Sequence, residues 1–388
     1  MRRISVFGAT GSIGQNTLDL LNPGEIEIIA LSGGRQVDLL AADARRFGAQ
    51  VAVTCYPDCY DALKQALAGS GIEAAAGPDA VVEAADRPAD WVMSAIVGAA
   101  GLVPGLRALR HGGTLALANK ESLVTAGELL MSEAQRHGAT ILPVDSEHSA
   151  VFQTLTGEDR AAVERVIITA SGGPFRDWPL ERLAGATPQQ AVAHPNWSMG
   201  QRISIDSASM FNKALELIEA REFFGFPSER IEVIVHPQSI IHAMVGFSDG
   251  GIIAHLGPAD MRHAIGYALN WPGRAHVPVE RLDLARLANL SFQAPDETRF
   301  PALRLAREVM AARGLSGAVF NAAKEVALDH FIGRQIGFLD MAAVVEETMV
   351  RVSGDLCRKD AALDLEDILN ADHLARQKAE EVARLRSR

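Results

Sequence analysis

Two carboxylates stand two residues apart in the segment 141–149, which reads ILPVDSEHS. Residues i and i+2 of an extended chain face the same side, so Asp145 and Glu147 converge on one point if the predicted strand continues through them. Carboxylate oxygens favour a hard divalent cation, Mg²⁺ or Mn²⁺. Two carboxylates are too few to hold such an ion tightly, so we expect a third ligand from elsewhere in the chain.

The same residues allow a second interpretation, in which an Asp or Ser caps a helix and the Glu that follows completes the cap. That alternative stays open from the sequence. His148 would point away from Glu147 in an extended strand. We therefore expect a structural role for His148 rather than a ligand role.

The segment 8–14, GATGSIG, follows one predicted strand and opens a helix that ends near Leu21. Glycines at three-residue intervals permit a tight turn, close approach of the backbone to a pyrophosphate, and packing of helix on strand, while the helix N-terminus supplies amide donors. A plain glycine turn between strand and helix is the alternative. The strand–helix–strand context favours a dinucleotide site.

The residues after the second predicted strand indicate which dinucleotide is bound. An NAD site usually has Asp or Glu there, for the ribose 2′-hydroxyl, but residues 31–36 read LSGGRQ. Arg35 suits a 2′-phosphate, so we expect NADPH rather than NADH. An exposed arginine at a helix start is the alternative.

Polar residues cluster beside glycine in three later segments: 169–175 (TASGGPF), 194–200 (HPNWSMG) and 204–216 (SIDSASMFNKALE). Hydroxyl, amide, imidazole and ammonium groups together suit a phosphate monoester, which predicts a small phosphorylated substrate. We expect a mobile lid at about 192–202, carrying His194 and Trp197, that closes over the substrate and excludes water. An aromatic plug packed on the core is the alternative for this loop.

The elements that must position these residues follow from the hydrophobic pattern. Strands are expected at 4–8, 26–31, 50–53, 91–95, 114–117 and 140–143. Because helix-period segments separate them, residues 1–150 are expected to form an α/β, Rossmann-like, doubly wound parallel sheet. Residues 151–287 are predicted to form an α+β catalytic domain with strands at 166–169, 231–235 and 252–256. Residues 288–301 are predicted to form a linker and 302–388 a helical bundle.

Composition excludes several classes of protein. The 388 residues carry 37 Lys+Arg against 48 Asp+Glu, a net charge of −11, so we expect no nucleic-acid partner. The longest stretch without Asp, Glu, Lys, Arg or His, 91–106, is too short and too rich in glycine and proline to cross a membrane. Three cysteines and no apolar leader predict no disulfide framework and a cytoplasmic protein.

Several strings of residues together resemble one family. They are GATGSIG, ANKESLV (118–124), PVDSEHSAVFQ (143–153), SGGPFR (171–176), HPNWSMG, the 204–216 segment and VHPQS (235–239). In order and content they resemble the 1-deoxy-D-xylulose 5-phosphate reductoisomerases. The resemblance implies homodimers of three-domain subunits. It also implies isomerisation and reduction of that sugar phosphate to 2-C-methyl-D-erythritol 4-phosphate, with NADPH and Mg²⁺ or Mn²⁺, and possibly Co²⁺.

The resemblance also implies roles for individual positions. The metal would be bound by Asp145, Glu147 and Glu216, which supplies the third ligand, and Lys120 would act with Asp145 and Glu147 in catalysis. Substrate would be bound by Ser146, Glu147, Lys120, Ser171, His194, Trp197, Ser207, Asn212, Lys213 and Glu216. The cofactor would contact Thr10, Gly11, Ser12, Ile13, Gly34, Arg35, Gln36, Asn119, Glu121 and Gly200.

The chain departs from the family pattern at a few positions and leaves two other classes to weigh. Ala214 replaces a common Gly, Lys324 replaces a usual Asn, and prolines differ in 255–265. The semialdehyde dehydrogenases share GATG-type loops but need a nucleophilic Cys in the second domain, where this chain has none. A non-catalytic NADPH-binding sensor protein remains as the alternative from a different class.

Overall fold

The structure is a computed structural model that describes residues 1–193, 197, 200–353 and 363–387. The chain forms two compact units. One comprises Met1–Asn119, Leu130–Ser149 and Asp260–Glu280, and the other comprises Lys120–Leu129, Ala150–Ala259 and Arg281–Arg388. Among the described residues no helix is both long enough and apolar enough to cross a membrane.

The strands are numbered in chain order: β1 Arg2–Phe7, β2 Ile26–Gly33, β3 Val51–Thr54, β4 Glu73–Ala76, β5 Trp91–Ser94, β6 Thr114–Leu117, β7 Thr140–Pro143, β8 Val163–Ala170, β9 Ile231–Val235, β10 Ile241–Phe247 and β11 Ile252–Leu256. The helices are α1 Ser12–Asp19, α2 Val37–Phe47, α3 Tyr60–Ala66, α4 Pro78–Ala85, α5 Leu102–Leu109, α6 Lys120–His137, α7 Ser146–Thr154, α8 Leu180–Leu183, α9 Pro188–Ala191, α10 Gln201–Ala208, α11 Phe211–Phe224, α12 Met261–Asn270, α13 Leu284–Leu287, α14 Ala302–Ala312, α15 Ser316–Ile332, α16 Asp340–Val352 and α17 Leu365–Leu385.

The first unit contains a parallel sheet of seven strands in the order β4-β3-β2-β1-β5-β6-β7. The strand order reverses beside β1, and ligands of doubly wound sheets bind at the carboxyl ends of the strands next to such a point. The predicted doubly wound sheet is confirmed. The sequence analysis missed β4, because its residues Glu-Ala-Ala-Ala favour helix over strand.

Trp91 fixes the centre of this sheet. Its side chain is fully buried, and its indole Nε1 donates to the carbonyl oxygen of Ala268 on α12 at 3.1 Å. The guanidinium of Arg2 donates to the carbonyl of Leu269 on the same helix at 2.5 Å. A residue late in the chain therefore helps to position β1 and β5, which flank the point where the strand order reverses.

The second unit contains a mixed sheet in the order β11-β10-β8-β9. Strand β8 pairs parallel with β9 and antiparallel with β10, and β11 is an edge strand. The sequence analysis predicted β8, β9 and β11 and missed β10. The α+β character of this part of the chain is confirmed.

From Ala302 onward the described residues form only helices, α14 to α17. Their apolar faces join one hydrophobic core with α11 and the mixed sheet, in which Phe211, Phe320 and Phe331 are almost fully buried. The predicted helical C-terminal part is confirmed. Helix α11 is thus held on several sides, which fixes the polar side chains that it carries.

Candidate functional site

The glycine-rich turn after β1 has backbone geometry that only glycine tolerates. Gly8 has a φ of +91°, and a Cβ placed there would lie 2.5 Å from the carbonyl oxygen of Ala95. A Cβ on Gly14 would lie 2.3 Å from the carbonyl oxygen of Gly8. The first and third glycines are therefore required for the turn and for the packing of α1 against β1, as a dinucleotide fingerprint demands.

Several residues predicted to contact the cofactor lie together at this turn. Gly11 caps α1, and Ser12 and Ile13 begin that helix. Thr10 accepts a hydrogen bond from the backbone amide of Gly34 at 3.4 Å, and its carbonyl accepts one from the side chain of Gln36, also at 3.4 Å. The backbone amides at the N-terminus of α1 form a surface suited to an anionic pyrophosphate.

Arg35 lies at the edge of this surface in a cluster that the sequence analysis did not foresee. Its guanidinium stacks over the Tyr56 ring, 4.0 Å from the ring centroid, and donates to Asp58 at 2.6 Å. Both side chains of the ion pair are more than half exposed, at 60% and 63%. The hydrogen bond from Arg35 lowers the pKa of the Asp58 carboxyl. The guanidinium is thus oriented in advance, and solvent reaches it.

Tyr56 and Asp58 follow β3, whose carboxyl end lies beside that of β2. Parallel strands that pair side by side bring their following loops together. The order of strands was therefore the signal that placed these residues near Arg35. The linear sequence, in which they lie more than twenty residues downstream, gave no such indication.

Asn119 ties two loops together at the carboxyl end of the sheet. Its side-chain amide donates to the carbonyl oxygens of Ile96 and Gly98, the latter at 2.8 Å, and its backbone amide donates to Ser94. The side chain is buried, with 3% exposure. In this structure Asn119 organises the loop after β5.

The carboxylate pair after β7 has a different local structure from the expected one. Helix α7 begins at Ser146, so Glu147 and His148 lie in its first turn and not in a strand. Asp145 Oδ1 accepts hydrogen bonds from the amide of Glu147 at 3.1 Å and, weakly, from that of His148 at 3.5 Å. The expectation of an extended chain was wrong, because Asp145 caps α7 and accepts from first-turn amides that have no partner within the helix.

The side chains of this turn are nevertheless ordered around the two carboxylates. The hydroxyl of Ser146 donates to Glu147 Oε2 at 2.6 Å. His148 is fully buried, and its Nδ1 lies 3.0 Å from Asp145 Oδ1. His148 therefore contacts the Asp145 carboxylate directly, and its expected structural role stays a prediction.

Three predicted site residues of the second unit converge on the carboxylate of a fourth. Glu216 is fully buried, and its Oε1 accepts from Lys120 Nζ at 2.8 Å. Asn212 donates to the same oxygen, and Lys213 donates to Oε2. Lys120 also reaches the Asn212 side-chain oxygen at 3.0 Å. Two ammonium groups with 6% and 4% exposure thus surround one buried acid, which is typical of functional sites and not of protein surfaces.

Helix geometry explains this convergence. Residues three and four apart share a face, so Asn212 and Lys213 lie beside Glu216 on α11. The helix begins after Met210, which has a φ of +63°, and ends at Gly225, which has a φ of +68°. Lys120 comes from the first turn of α6, which departs from helical geometry at Ala126.

The loop after β8 brings two predicted substrate residues close together. The hydroxyl of Ser171 accepts a hydrogen bond from the amide of Gly173 at 3.1 Å. A Cβ on Gly173 would lie 2.9 Å from the carbonyl oxygen of Ser207 and 3.0 Å from Cα of Ala208. Because Gly173 also has a φ of +64°, only glycine lets this loop approach α10 so closely.

The remaining predicted residues fall around these clusters. Gly200 caps α10, and Trp197 lies with its ring centroid 6.1 Å from that of His242 on β10. Glu121 lies in the electrostatic range of Lys324, and burial raises the pKa of its carboxyl. His194 and part of the predicted lid, 194–196 and 198–199, lie outside the described residues.

Comparisons with known proteins agree with these observations. A family model described as 1-deoxy-D-xylulose 5-phosphate reductoisomerase matches residues 4–127, and the model of its C-terminal domain matches 141–224. A further model, described as the DXP reductoisomerase C-terminal domain, matches 256–378. These matches extend over most of the chain.

Individual relatives match over nearly their whole length. The chain is 71% identical to a 1-deoxy-D-xylulose 5-phosphate reductoisomerase of Cereibacter sphaeroides, covering 100% of this chain and 99% of the relative. Its identity to the same enzyme of Ruegeria pomeroyi is 66%, covering 98% and 97%.

Solved structures give the same result. The reductoisomerase of Zymomonas mobilis in complex with NADPH is 50% identical, with a TM-score of 0.91, and covers 98% of this chain and 99% of that one. A DOX-P reductoisomerase in complex with NADPH, fosmidomycin and magnesium is 39% identical, with a TM-score of 0.94, and covers 99% of each chain.

Proposed function

The chain belongs to the 1-deoxy-D-xylulose 5-phosphate reductoisomerase family, and we propose which of its residues carry out the reaction of that family. It is an NADPH- and divalent-metal-dependent oxidoreductase. Its reaction isomerises 1-deoxy-D-xylulose 5-phosphate and reduces the rearranged aldehyde to 2-C-methyl-D-erythritol 4-phosphate, in the non-mevalonate route to isoprenoids. The observation that carries the assignment of roles is the buried Glu216 with two lysines bound to it.

The carboxylates present suit a magnesium or manganese ion. We assign Asp145, Glu147 and Glu216 as its ligands, because hard oxygen donors match these cations. Supporting groups hold each of them: His148 and backbone amides contact Asp145, the Ser146 hydroxyl contacts Glu147, and lysines contact Glu216. Ligands oriented by further hydrogen bonds bind a metal more tightly.

The turn after β1 suits a dinucleotide. The turn leaves no room for side chains at Gly8 and Gly14. Backbone amides at the start of α1 are available to a pyrophosphate. We place the 2′-phosphate of NADPH at Arg35, whose exposed guanidinium offers planar donors. Thr10, Gly11, Ser12, Ile13, Gly34, Gln36, Asn119, Glu121 and Gly200 complete the proposed cofactor contacts.

The phosphate of the substrate is assigned to groups of the second unit. Ser171 and Ser207 supply hydroxyls, Asn212 an amide and Lys213 a cation, and the close packing at Gly173 supports their common placement. His194 is included on the resemblance alone. Trp197 is proposed to cover the substrate from a lid at about 192–202, supported by its position over His242.

When bound, the metal ion supplies Lewis acidity to the substrate carbonyl and its neighbouring hydroxyl, and NADPH supplies the hydride. The chain's own contribution is electrostatic. The Lys120 ammonium, buried beside Glu216, is placed to stabilise the oxyanion that develops as the carbon skeleton rearranges. The Ser146 hydroxyl, already bonded to Glu147, orients that carboxylate near the reacting carbons.

A non-catalytic NADPH-binding protein would need the turn after β1 but not the lysine–glutamate cluster. Burying Lys120, Lys213 and Glu216 together requires desolvation of three charges, and binding of NADPH alone gives no reason for that cost. The cluster therefore favours the enzyme.

The subunit arrangement and the compartment belong to the same proposal. Edge strand β11 exposes Ile252 at 49% and Ile253 at 42%, and an apolar edge of this kind favours pairing with a second copy. We therefore infer a homodimer, and Ile253→Lys should shift it toward monomers in light scattering. Cys55 and Cys59 are free thiols, which supports a reducing, cytoplasmic compartment.

The sequence division into 1–150, 151–287, 288–301 and 302–388 also stays a proposal. The start of α14 at Ala302, directly after the irregular stretch 288–301, supports the last boundary.

A spectrophotometric assay tests the function. Purified protein receives 1-deoxy-D-xylulose 5-phosphate, Mn²⁺ and NADPH, and the loss of NADPH absorbance is followed while the product is identified by mass. We expect metal-dependent oxidation of NADPH and 2-C-methyl-D-erythritol 4-phosphate as product. Binding of NADPH without metal-dependent turnover would instead support the sensor protein.

A further inference from the structure

A buried lysine far from α11 in the chain carries a second inference. Lys324 lies in the middle of α15 with 3% exposure, and its Nζ donates to Asp206 Oδ2 on α10 at 3.0 Å. The Asp206 side chain is only 9% exposed. Burial of a lysine charge is strongly unfavourable unless acids compensate it, so this pair depends on its geometry.

Other charges surround the same ammonium group. Glu121, in the first turn of α6, and Glu325, the next residue of α15, both attract it. Burial disfavours the charged form of Lys324, but Asp206, Glu121 and Glu325 outweigh that effect and raise its pKa. Lys324 is therefore a common counter-ion for carboxylates on α6, α10 and α15.

The helix held by this pair is short and carries site residues. Helix α10 has eight residues, which is too few to be stable in isolation. Asp206 directly precedes Ser207, whose carbonyl packs against Gly173 in the loop of Ser171. A displacement of α10 would therefore move both hydroxyls proposed to bind the substrate phosphate.

A second ion pair joins the same two helices and provides a natural comparison. Arg202, in the first turn of α10, pairs with Asp329 of α15. Its side chains are 39% and 61% exposed, so solvent screens the interaction. Exposed pairs contribute about 0–1 kcal/mol, whereas removing one partner of a buried pair leaves a buried charge and is strongly destabilising.

We propose that Lys324 is a positioning residue of this enzyme, which fixes α10 through Asp206 and so holds Ser207 and the phosphate end of the substrate site in place. The proposal deepens the function given above and rests on it. Lys324 is the position where this chain has lysine instead of the asparagine usual in the family pattern, and the proposal gives that departure a role.

The test compares Lys324→Met with Asp329→Asn, which removes the exposed pair between the same helices. We expect Lys324→Met to raise the KM for 1-deoxy-D-xylulose 5-phosphate about tenfold, and to raise the KM for NADPH less, through the lost attraction between Lys324 and Glu121. Asp329→Asn should change neither constant. A loss of folded protein alone would lower the apparent kcat and leave both KM values as they were, which would overturn the proposal.

The double variant Lys324→Met/Asp206→Asn separates positioning from folding. It removes the uncompensated carboxylate, so its melting temperature should be higher than that of Lys324→Met. The KM for the substrate should stay high, because the ion pair that fixes α10 is still missing. Recovery of the KM together with the melting temperature would contradict the proposal.

Hydrogen–deuterium exchange gives a readout that does not depend on activity. The amides of 200–210 should exchange faster in Lys324→Met and in the double variant than in the wild type, and at the wild-type rate in Asp329→Asn. Equal exchange rates of these amides in all four proteins would contradict the proposal that Lys324 fixes α10. A wild-type protein without turnover would refute the proposed function, and the exchange rates would still decide whether Lys324 fixes α10.

Discussion

The Lys120 ammonium lies 2.8 Å from Glu216 Oε1, and both side chains are buried. The two residues are far apart in the sequence, and the packing of α11 into the core of the second unit brings them together. In the proposed mechanism, this fixed cation beside a proposed metal ligand stabilises the oxyanion. This arrangement makes Lys120 the first residue to test.

Lys120→Met should lower kcat by a factor of about 10²–10³, the loss seen when one preorganised donor to an oxyanion is removed. NADPH affinity should change little. Steady-state kinetics and a fluorescence titration of NADPH measure the two effects. Lys64→Met is the matched control, because Lys64 is exposed on α3. A Lys120 variant with wild-type kcat would remove this residue from the mechanism.

Arg35→Asp should weaken NADPH binding far more than NADH binding. The carboxylate would repel the 2′-phosphate, whereas the 2′-hydroxyl of NADH carries no charge. Dissociation constants for both cofactors, measured by fluorescence, check the difference. Arg110→Asp, at the end of α5, makes the same charge change away from Tyr56 and should affect neither. Equal weakening of both cofactors by Arg35→Asp would contradict the assignment.

Gly14→Ala should destabilise the protein by about 1–3 kcal/mol and weaken NADPH binding, because the added Cβ would lie 2.3 Å from the Gly8 carbonyl oxygen. Gly105→Ala is the comparison. In the interior of α5 its Cβ would make ordinary contacts with Leu115 Cδ2 at 3.8 Å and Ser94 Oγ at 4.0 Å, so it should stabilise by about 0.5–1 kcal/mol. Chemical denaturation measures both changes, and similar effects of the two substitutions would refute the close-packing argument.

Glu325→Gln should make stability less dependent on acid pH. Burial opposes ionisation of Glu325, but Lys324 and Arg376 outweigh it and hold the pKa of Glu325 below its ordinary 4.5. A depressed acid pKa stabilises the folded state above pH 4.5, and this contribution disappears as the pH falls through the folded-state pKa.

The expected loss in Glu325→Gln is therefore about 1–3 kcal/mol at pH 7, and the difference from wild type should shrink below pH 4.5. Urea denaturation at a series of pH values measures it. A difference that stays constant down to pH 3 would show that ionisation of Glu325 does not carry the effect.

The sequence was sufficient to predict those parts of the fold that short-range patterns of residues determine. Glycine spacing placed the turn after β1, and alternation of strands and helices predicted the doubly wound sheet. It failed at β4, where three alanines form a strand because the neighbouring β3 supplies hydrogen bonds that propensity does not include.

In the candidate site, too, some features could be predicted from the sequence and others could not. Asp145 and Glu147 were identified by residue type, but their local geometry was wrong, since the choice between strand and helix cap depends on which amides need an acceptor. The partners of Arg35 could not be foreseen, because strand order brings Tyr56 and Asp58 to it. Lys324 stood out in the sequence only as a departure, and its partner Asp206 became visible in the structure.

The central claim is that Asp145, Glu147 and Glu216 hold one divalent ion. Electron paramagnetic resonance of Mn²⁺ measures the free ion directly as protein is added. We expect one bound ion per wild-type chain, and strongly weakened binding in Asp145→Asn, Glu147→Gln and Glu216→Gln alike. In Glu222→Gln, a control on the same helix as Glu216, binding should be as in the wild type. Wild-type Mn²⁺ affinity in Glu216→Gln would contradict the claim.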